Sequence, residues 1–377
     1  MQEFVPPPRT YAGPGSRSAL SRVVDDGNVH VVTDEGVVDA GVLEAVLDHL
    51  PAEPTVHATV SENPDRETVA ALAARVGDAD LVVGVGGGSP MDATKAACTL
   101  PAFHADVASD LAITAETPLA HPDRAVPFVL VPTTAGTGTE TGYWAVISDH
   151  DRSEKVSVGH PAMLAEAAVL DPELTTSLPP TLTAGTGFDV ITHAVESLVA
   201  DGATALTIPY SRQAYALAAS SLRTATTDGE NLETRERLLE ASYLAGVAMN
   251  NAGLGAVHAI SHAISGRYDL PHGHTNARLL PAVVRHNGER SPQARERYAT
   301  LVETTEPAHE AVAARLTRLR RDVGLDEDPP GTPDAWALEA VADSAIENVN
   351  MDTNPASYTE SDVVDSCRRA FDTGRHN

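Results

Sequence analysis

The segment Ala79-Asp-Leu-Val-Val-Gly-Val-Gly86-Gly87-Gly88-Ser89-Pro-Met-Asp92-Ala-Thr-Lys95 joins an apolar run to three consecutive glycines and a stretch typical of a helix. The apolar run predicts a buried strand. Pro90 suits the first position of a helix that Ser89 would cap, and Asp92 would complete a variant capping box. Free amides at a helix start attract an anion, and glycines let its oxygens approach the backbone. The segment therefore predicts a strand, a glycine turn and a helix, with a pyrophosphate as the natural ligand.

This turn differs from the dinucleotide fingerprint G-x-G-x-x-G, because Ser89 occupies the sixth position and no acidic residue follows about 20 residues later. A tight turn without a ligand is the alternative for this segment alone. A second loop argues against that alternative. Val131-Pro-Thr133-Thr134-Ala-Gly-Thr137-Gly-Thr-Glu140 follows another apolar run and offers hydroxyl groups suited to phosphate and ribose.

Outward from the glycine turn, the first half alternates β-branched runs with helical stretches. Runs at 29–33, 57–60 and 81–84 are separated by helical patterns at 40–49 and 65–76, which indicates a parallel sheet covered on both faces. After Pro179-Pro180 the pattern becomes helical, with predicted helices over 208–224, 231–265 and 306–324. We therefore predict an α/β dinucleotide-binding domain over residues 1–178 and an all-helical domain over residues 179–377.

The composition excludes several classes of protein. Apolar residues make up 42% and charged residues 21% of the 377 residues, which is typical of a globular protein. The net charge of −27 argues against nucleic acid as a partner, because a phosphate backbone would be repelled. No apolar stretch suggests a membrane span and the first residues lack a secretion signal, so we expect a cytoplasmic protein. Cys98 and Cys367 offer neither a disulfide framework nor a thiolate metal site.

The basic residues are unusual, because Lys95 and Lys155 are the only lysines among 26 basic residues. An acidic surface that is nearly free of lysine resembles the proteins of salt-loving archaea, in which abundant cations screen self-repulsion. We therefore predict a halophilic protein. If arginine has replaced lysine wherever it can, the two lysines that remain are expected where a compact ammonium is needed. Both fall in the candidate cofactor region.

Histidines of the second half are spaced as metal ligands. Asp189 and His193 are four residues apart, as are His258 and His262, so each pair lies on one face of a predicted helix. His272 follows in a loop before the next helix. One carboxylate with imidazoles suits Fe²⁺ or Zn²⁺ and leaves room for a substrate oxygen, whereas a lone histidine is more often a core or surface residue.

Taken together, these segments resemble the iron-containing (group III) alcohol dehydrogenases. The resemblance covers about residues 30 to 290 and is carried by six motifs in the family's order and spacing: Gly86-Gly-Gly-Ser89-x-x-Asp92-x-x-Lys95, Pro132-Thr-Thr-Ala-Gly-Thr-Gly138, Asp171-Pro-Glu-Leu174, Gly187-x-Asp189-x-x-x-His193-x-x-Glu196, His258-x-x-x-His262 and Pro271-His-Gly-x-x-Asn276. It implies a dehydroquinate synthase-like fold, hydride transfer between a small alcohol or aldehyde and NAD(P), and a homodimer or larger homo-oligomer.

The resemblance also implies a role for individual residues. The metal ligands would be Asp189, His193, His258 and His272, and His262 would be an unliganded catalytic histidine that relays a proton. The cofactor contacts would be Asp34, Asn63, Gly86, Gly87, Gly88, Ser89, Asp92, Thr133, Thr134, Thr137 and Lys155.

The Asp34 carboxylate favours NAD, because it would accept the ribose hydroxyls and repel a 2′-phosphate; NADP stays an alternative. Thr139, Trp144 and Ala356 depart from the family's common residues, and the last two leave the shape of the substrate open. Maleylacetate reductases tend to lack the full metal set and glycerol dehydrogenases use different ligands, so the intact set argues against both. A catalytically silent nucleotide-binding protein is the remaining alternative.

Overall fold

A computed structural model describes residues 3–50, 53–150, 154–333 and 335–371 of the chain. It divides into two compact units, Val5–Ser177 and a second unit that begins at Leu178. Among the described residues, no helix has both the length and the apolar character needed to cross a bilayer.

The first unit is built from strands and short helices. Its strands, as far as the structure describes them, are β1 (Arg9–Ala12), β2 (Val29–Val32), β3 (Thr55–His57), β4 (Leu81–Gly86), β5 (Phe128–Pro132), β6 (Trp144–Asp149), β7 (Glu154–Gly159) and β8 (Ala167–Leu170). Its α-helices within the same residues are α1 (Leu20–Val23), α2 (Glu35–Asp39), α3 (Val42–Leu47), α4 (Arg66–Val76), α5 (Gly88–Thr99) and α6 (Ala105–Ser109).

The second unit is helical in its described part. Its α-helices are α7 (Pro180–Val199), α8 (Ile208–Thr227), α9 (Leu232–Ala252), α10 (Ala256–Tyr268), α11 (His272–Arg290), α12 (Pro292–Tyr298), α13 (Ala308–Asp322), α14 (Leu338–Ile346) and α15 (Glu360–Ala370). Helix α7 is buried along most of its length and packs against α8, α9 and α11.

The main sheet of the first unit is parallel, with described strands in the order β1-β8-β5-β4-β2-β3, and β6 and β7 form a separate antiparallel hairpin. The chain leaves β2 toward one edge of the sheet and leaves β4 toward the other, so the strand order reverses between these neighbours. Open parallel sheets bind ligands beyond the carboxyl ends of the strands at such a reversal. Asp34 follows β2 and Gly86 ends β4, so both predicted cofactor contacts lie there.

Apolar side chains cover both faces of this sheet. On one face, α2 and α3 pack Val37 and Leu43 with Val83 of β4. On the other face, Leu72 of α4 and Met91 of α5 pack with Val82 of β4. Successive β4 residues point to opposite faces, which explains the continuous apolar run in its sequence. The predicted fold, a parallel sheet covered on both faces followed by a helical region, is confirmed.

Two predicted element boundaries were wrong. The predicted strand at 57–60 lies at Thr55–His57, where these residues pair with β2. The helix predicted over 231–265 is interrupted at Gly253, whose φ of 84° belongs to the left-handed region that favours glycine. The chain turns there and begins α10 at Ala256, so His258 lies in the first turn of a new helix.

Candidate active site

The glycine turn between β4 and α5 is tighter than the sequence predicted. Gly87 is the N-cap and α5 begins at Gly88, so the prediction of Ser89 as the cap was wrong by two residues. Gly86 has a φ of 147°, and a methyl group on it would lie 2.7 Å from Cγ of Pro90. Only glycine therefore permits this early helix start, which leaves the first amides of α5 at the strand end.

The Asp34 carboxylate lies beside this turn. Its Oδ1 caps α2 by accepting a 2.8 Å hydrogen bond from the Val37 amide. Its Oδ2 faces the turn, since a methyl group on Gly86 would be 3.3 Å from that oxygen. One oxygen is thus held by the protein, and the other lies next to the proposed pyrophosphate turn.

The loop that follows β5, residues 133–139, is rich in threonine and packs against the same turn; we call it the threonine loop. The Thr133 amide donates to the Gly86 carbonyl at 2.9 Å, which continues the pairing of β5 with β4. Methyl groups placed on Gly87 and Gly88 would lie 3.5 Å from the Thr134 side chain and 2.7 Å from the Thr137 side chain, respectively. The absence of a side chain on Gly88 therefore lets Thr137 approach the glycine turn closely, whereas the contact at Gly87 is an ordinary van der Waals distance.

A third group of predicted contacts joins this cluster through hydrogen bonds. The backbone N–H of Asn63 donates to Oγ of Ser89 at 3.1 Å, and Lys155 Nζ donates to the side-chain Oδ1 of Asn63 at 2.8 Å. Asn63 has a φ of 56°, which asparagine tolerates better than most residues. Residues from three distant segments are thus assembled into one polar surface.

Asp92 does not face the glycine turn. Its buried carboxylate accepts hydrogen bonds from Thr139 Oγ1 and from the Val146 amide, both at 3.0 Å. Burial raises the pKa of Asp92 to about 6, against the opposing effects of Lys95 and of these hydrogen bonds. The side chain anchors the threonine loop and β6, and a direct contact with the cofactor stays a prediction.

Lys95 is fully buried and also anchors this region. Its Nζ donates to the carbonyls of Thr139, Gly142 and Trp144 at 2.5, 2.6 and 2.8 Å. Burial lowers the pKa of Lys95 to about 8, although the charges of Asp92 and Glu140 oppose the shift. A single ammonium nitrogen can donate three hydrogen bonds, which explains why this position is lysine in an arginine-rich chain.

The candidate metal centre lies within the helical unit and surrounds one carboxylate oxygen. Nε2 of His193, His258 and His272 lies 3.5, 3.6 and 3.5 Å, respectively, from Oδ1 of Asp189. Ligand atoms of Asp189, His258 and His272 all lie within 4.8 Å of one another. Helix α7 supplies Asp189 and His193, whereas α10 and α11 supply the other two histidines.

The residues present fit a divalent cation. His258 Nε2 is buried and, among the described residues, has no hydrogen-bond partner. This nitrogen is therefore available as a ligand for a metal ion. Burial opposes ionisation of Asp189, but His193, His272 and His258 outweigh it and hold the pKa of Asp189 well below its usual range. Burial likewise lowers the pKa of His258, yet the nearby carboxylates of Asp189 and Glu196 raise it to about 9. A bound cation would take the place of the proton that His258 holds at neutral pH and would supply the same positive charge beside Asp189.

Ring contacts hold His193 within this group and bring His262 next to it. The His193 ring stacks on the His258 ring with centroids 4.8 Å apart. The His262 ring lies 6.0 Å from that of His258 and 5.5 Å from that of His272, and it is half-buried. The predicted metal ligands and the predicted catalytic histidine are therefore brought together in one cluster.

Three supporting residues were not predicted from the sequence. Glu196 Oε2 lies 2.5 Å from His258 Nδ1, and Ser261 Oγ lies 3.1 Å from His272 Nδ1. Asn276 Nδ2 donates to Asp189 Oδ1 at 2.8 Å. Spacing carried a signal for Glu196, which lies seven residues after Asp189 on the same helix face, and for Asn276, four residues after His272.

Comparisons with known proteins agree across both units. The family described as iron-containing alcohol dehydrogenase matches residues 7–172, and the C-terminal part of the Fe-containing alcohol dehydrogenase family matches residues 183–371. The chain is 32% identical to 1-propanol dehydrogenase of Citrobacter freundii, over 94% of this chain and 96% of that protein. It is 35% identical to NAD-dependent methanol dehydrogenase of Bacillus methanolicus, over 78% and 77%, respectively.

A solved structure of 1,3-propanediol oxidoreductase has the same fold, with a TM-score of 0.89 and 32% identity, and the alignment covers 98% of this chain and 100% of that one. The predicted enzyme class, an alcohol dehydrogenase, is confirmed by these matches. The chain belongs to the iron-containing alcohol dehydrogenase family.

Proposed function

We propose that this protein is a metal-dependent, NAD-linked alcohol dehydrogenase and aldehyde reductase that acts on small alcohols. The observation that carries the proposal is the convergence of three imidazoles within 3.6 Å of the Asp189 carboxylate oxygen. In this proposal the helical unit holds Fe²⁺ or Zn²⁺ through Asp189, His193, His258 and His272. The first unit holds the dinucleotide at the glycine turn and the threonine loop.

Each group of residues has a chemical task. A divalent cation at the histidine cluster supplies Lewis acidity, which favours loss of a proton from an alcohol near neutral pH. The nicotinamide supplies the hydride acceptor. The His262 imidazole, half-buried and 5.5 Å between ring centroids from His272, carries the proton away, because imidazole gains and loses protons near neutral pH.

The substrate class is a small primary alcohol or diol and its aldehyde. This is supported by relatives named for 1-propanol, methanol and 1,3-propanediol. A screen of small alcohols with NAD⁺, followed by the absorbance of the reduced nicotinamide, tests the activity, and elemental analysis of the same sample tests the metal. A sample that holds about one metal ion per chain and oxidises none of these alcohols would contradict the proposed function.

We expect Asp34→Asn to raise the use of NADP⁺ relative to NAD⁺ by about tenfold or more, as the ratio of kcat/KM values. The carboxylate beside Gly86 repels a 2′-phosphate, and a repulsion of about 1.4 kcal/mol corresponds to a factor of ten. Asparagine keeps the cap on α2 that Asp34 forms with Val37, so the helix should persist. Asp39→Asn removes the same charge from the exposed end of α2 and should leave the ratio unchanged.

The acidic composition supports a halophilic protein. We further propose that the protein is cytoplasmic and, from the family resemblance, that it assembles as a homodimer or larger homo-oligomer. With 53 acidic against 26 basic residues, self-repulsion in the folded state should be strong at low salt. The screening length falls from about 10 Å at 0.1 M salt to about 3 Å at 1 M salt. We expect the melting temperature to rise by several degrees between these KCl concentrations; an unchanged or lower value would argue against halophilic adaptation. Size-exclusion chromatography with light scattering tests the assembly.

A further inference from the structure

Helix α10 begins in a buried environment that leaves its first amides without partners inside the helix. Its N-cap is Gly255, which supplies no side-chain cap, and His258 is the third helical residue. Buried amides at a helix start must be satisfied from elsewhere in the protein. Two side chains from distant segments, Glu196 and Asn354, do so here.

Glu196 of α7 uses both carboxylate oxygens on this helix start. Oε1 accepts from the Val257 amide at 2.6 Å, and Oε2 lies 2.5 Å from Nδ1 of His258. The Glu196 and His258 side chains are each 3% exposed, so water does not compete for these bonds. One carboxylate therefore connects the backbone of α10 with the imidazole that α10 presents to Asp189.

Asn354 holds the neighbouring amide and ties it to α11. Its Oδ1 accepts from the Ala256 amide and from Asn287 Nδ2, both at 3.1 Å, while its Nδ2 donates to Asn287 Oδ1 at 2.9 Å. A methyl group on Gly255 would lie 2.7 Å from Asn354 Oδ1 and 2.9 Å from Glu196 Oε1. The glycine N-cap thus leaves room for both acceptors to reach the helix.

We propose that Glu196 is a positioning residue for the metal centre, fixing both the tautomer and the orientation of His258. The inference rests on the proposed metal site. An ionised carboxylate can only accept hydrogen bonds, so His258 must carry a proton on Nδ1, which leaves Nε2, 3.6 Å from Asp189 Oδ1, as the nitrogen that would bind the metal. The bond to Val257 holds the same carboxylate in register with the first turn of α10.

The substitution Glu196→Gln tests this role because an amide offers one oxygen where two donors require acceptors. If the amide oxygen accepts from Val257, the amide nitrogen faces His258 Nδ1 and favours a proton on Nε2, the atom needed for the metal. We expect the Zn²⁺ affinity, measured by competition with a chromophoric chelator, to fall by about 10- to 100-fold. NAD⁺ binding by the first unit, followed by fluorescence, should be unchanged.

Two further variants separate positioning from general stability. Glu196→Asp keeps an acceptor-only carboxylate and should retain more Zn²⁺ affinity than Glu196→Gln. Glu310→Gln removes the same charge from a partly exposed ion pair with Arg285 in the same unit and should bind Zn²⁺ like the wild type. Melting in EDTA reports on the fold without metal.

Three outcomes would overturn the inference. Equal Zn²⁺ affinity in the wild type and Glu196→Gln would exclude the positioning role while leaving the metal site intact. Failure of both Glu196 variants to fold in EDTA would assign the residue to the stability of the helical unit instead. A folded wild type that binds no Zn²⁺ would overturn the metal site proposed above, and this inference with it.

Discussion

Replacing His258 by alanine is expected to remove the bound metal and the activity together, whereas replacing His262 is expected to remove only the activity. His258 Nε2 is a buried nitrogen beside Asp189 Oδ1, and its loss leaves the cation one ligand short. Loss of Lewis acidity worth about 4 kcal/mol corresponds to about a thousandfold fall in kcat. Loss of a proton relay at His262 costs about 10²- to 10⁴-fold.

The two variants form a matched pair, because both histidines belong to α10 and lie four residues apart. Metal per chain by elemental analysis and kcat for a small primary alcohol are measured on the same samples. Metal content near the wild-type value in His262→Ala, with low turnover, is the expected signature. Equal metal loss in both variants would show that His262 is a ligand and would refute this division of roles.

Substituting Lys95 with arginine is expected to destabilise the first unit by about 3 to 5 kcal/mol, although the charge is kept, because buried carbonyls lose their donor and a larger group must be packed. All three hydrogen bonds to the carbonyls of Thr139, Gly142 and Trp144 come from one nitrogen. No guanidinium nitrogen carries three hydrogens, and the larger planar group must also fit a fully buried position. The melting transition of this unit should fall by about 10 °C or more.

Lys155 provides the control, since it is the other lysine of the chain and donates to Asn63 from a half-buried position. Lys155→Arg should change the melting temperature by no more than about 4 °C, because a partly exposed polar contact contributes about 1 kcal/mol or less. Calorimetry in molar KCl compares the two variants with the wild type. A similar small effect at both positions would contradict the structural role of Lys95.

Much of the first unit could be predicted because its signals are local. The apolar run that became β4 and the glycines after it specify a strand and a turn from short-range preferences alone. The cap was placed two residues late, since Ser89 and Pro90 have strong helix-start preferences that the backbone of Gly86 and Gly87 overrides. The break in the helix at Gly253 was missed because glycine within a helical pattern is often tolerated.

The proposed metal ligands could be predicted from the sequence, whereas the residues that hold them in place could not. Residue type and spacing identify such a site in the sequence, as in the pairs Asp189 with His193 and His258 with His262. Glu196 and Asn276 are common polar residues whose contacts join separate helices, so their partners follow only from how α7, α10 and α11 pack. Asn354 lies 98 residues from the helix it caps.

The segment from Ala79 to Lys95 shows the same difference between local and tertiary determinants. The sequence by itself determined that residues 79–95 form a strand, a glycine turn and a helix, because these preferences depend on neighbours in the chain. Only the tertiary structure decided what surrounds the turn, because Asp34 and the threonine loop reach it through the order of strands in the sheet. It also turned Asp92 and Lys95 inward as anchors, since burial and hydrogen-bond geometry, rather than residue type, decide which side chains face a ligand.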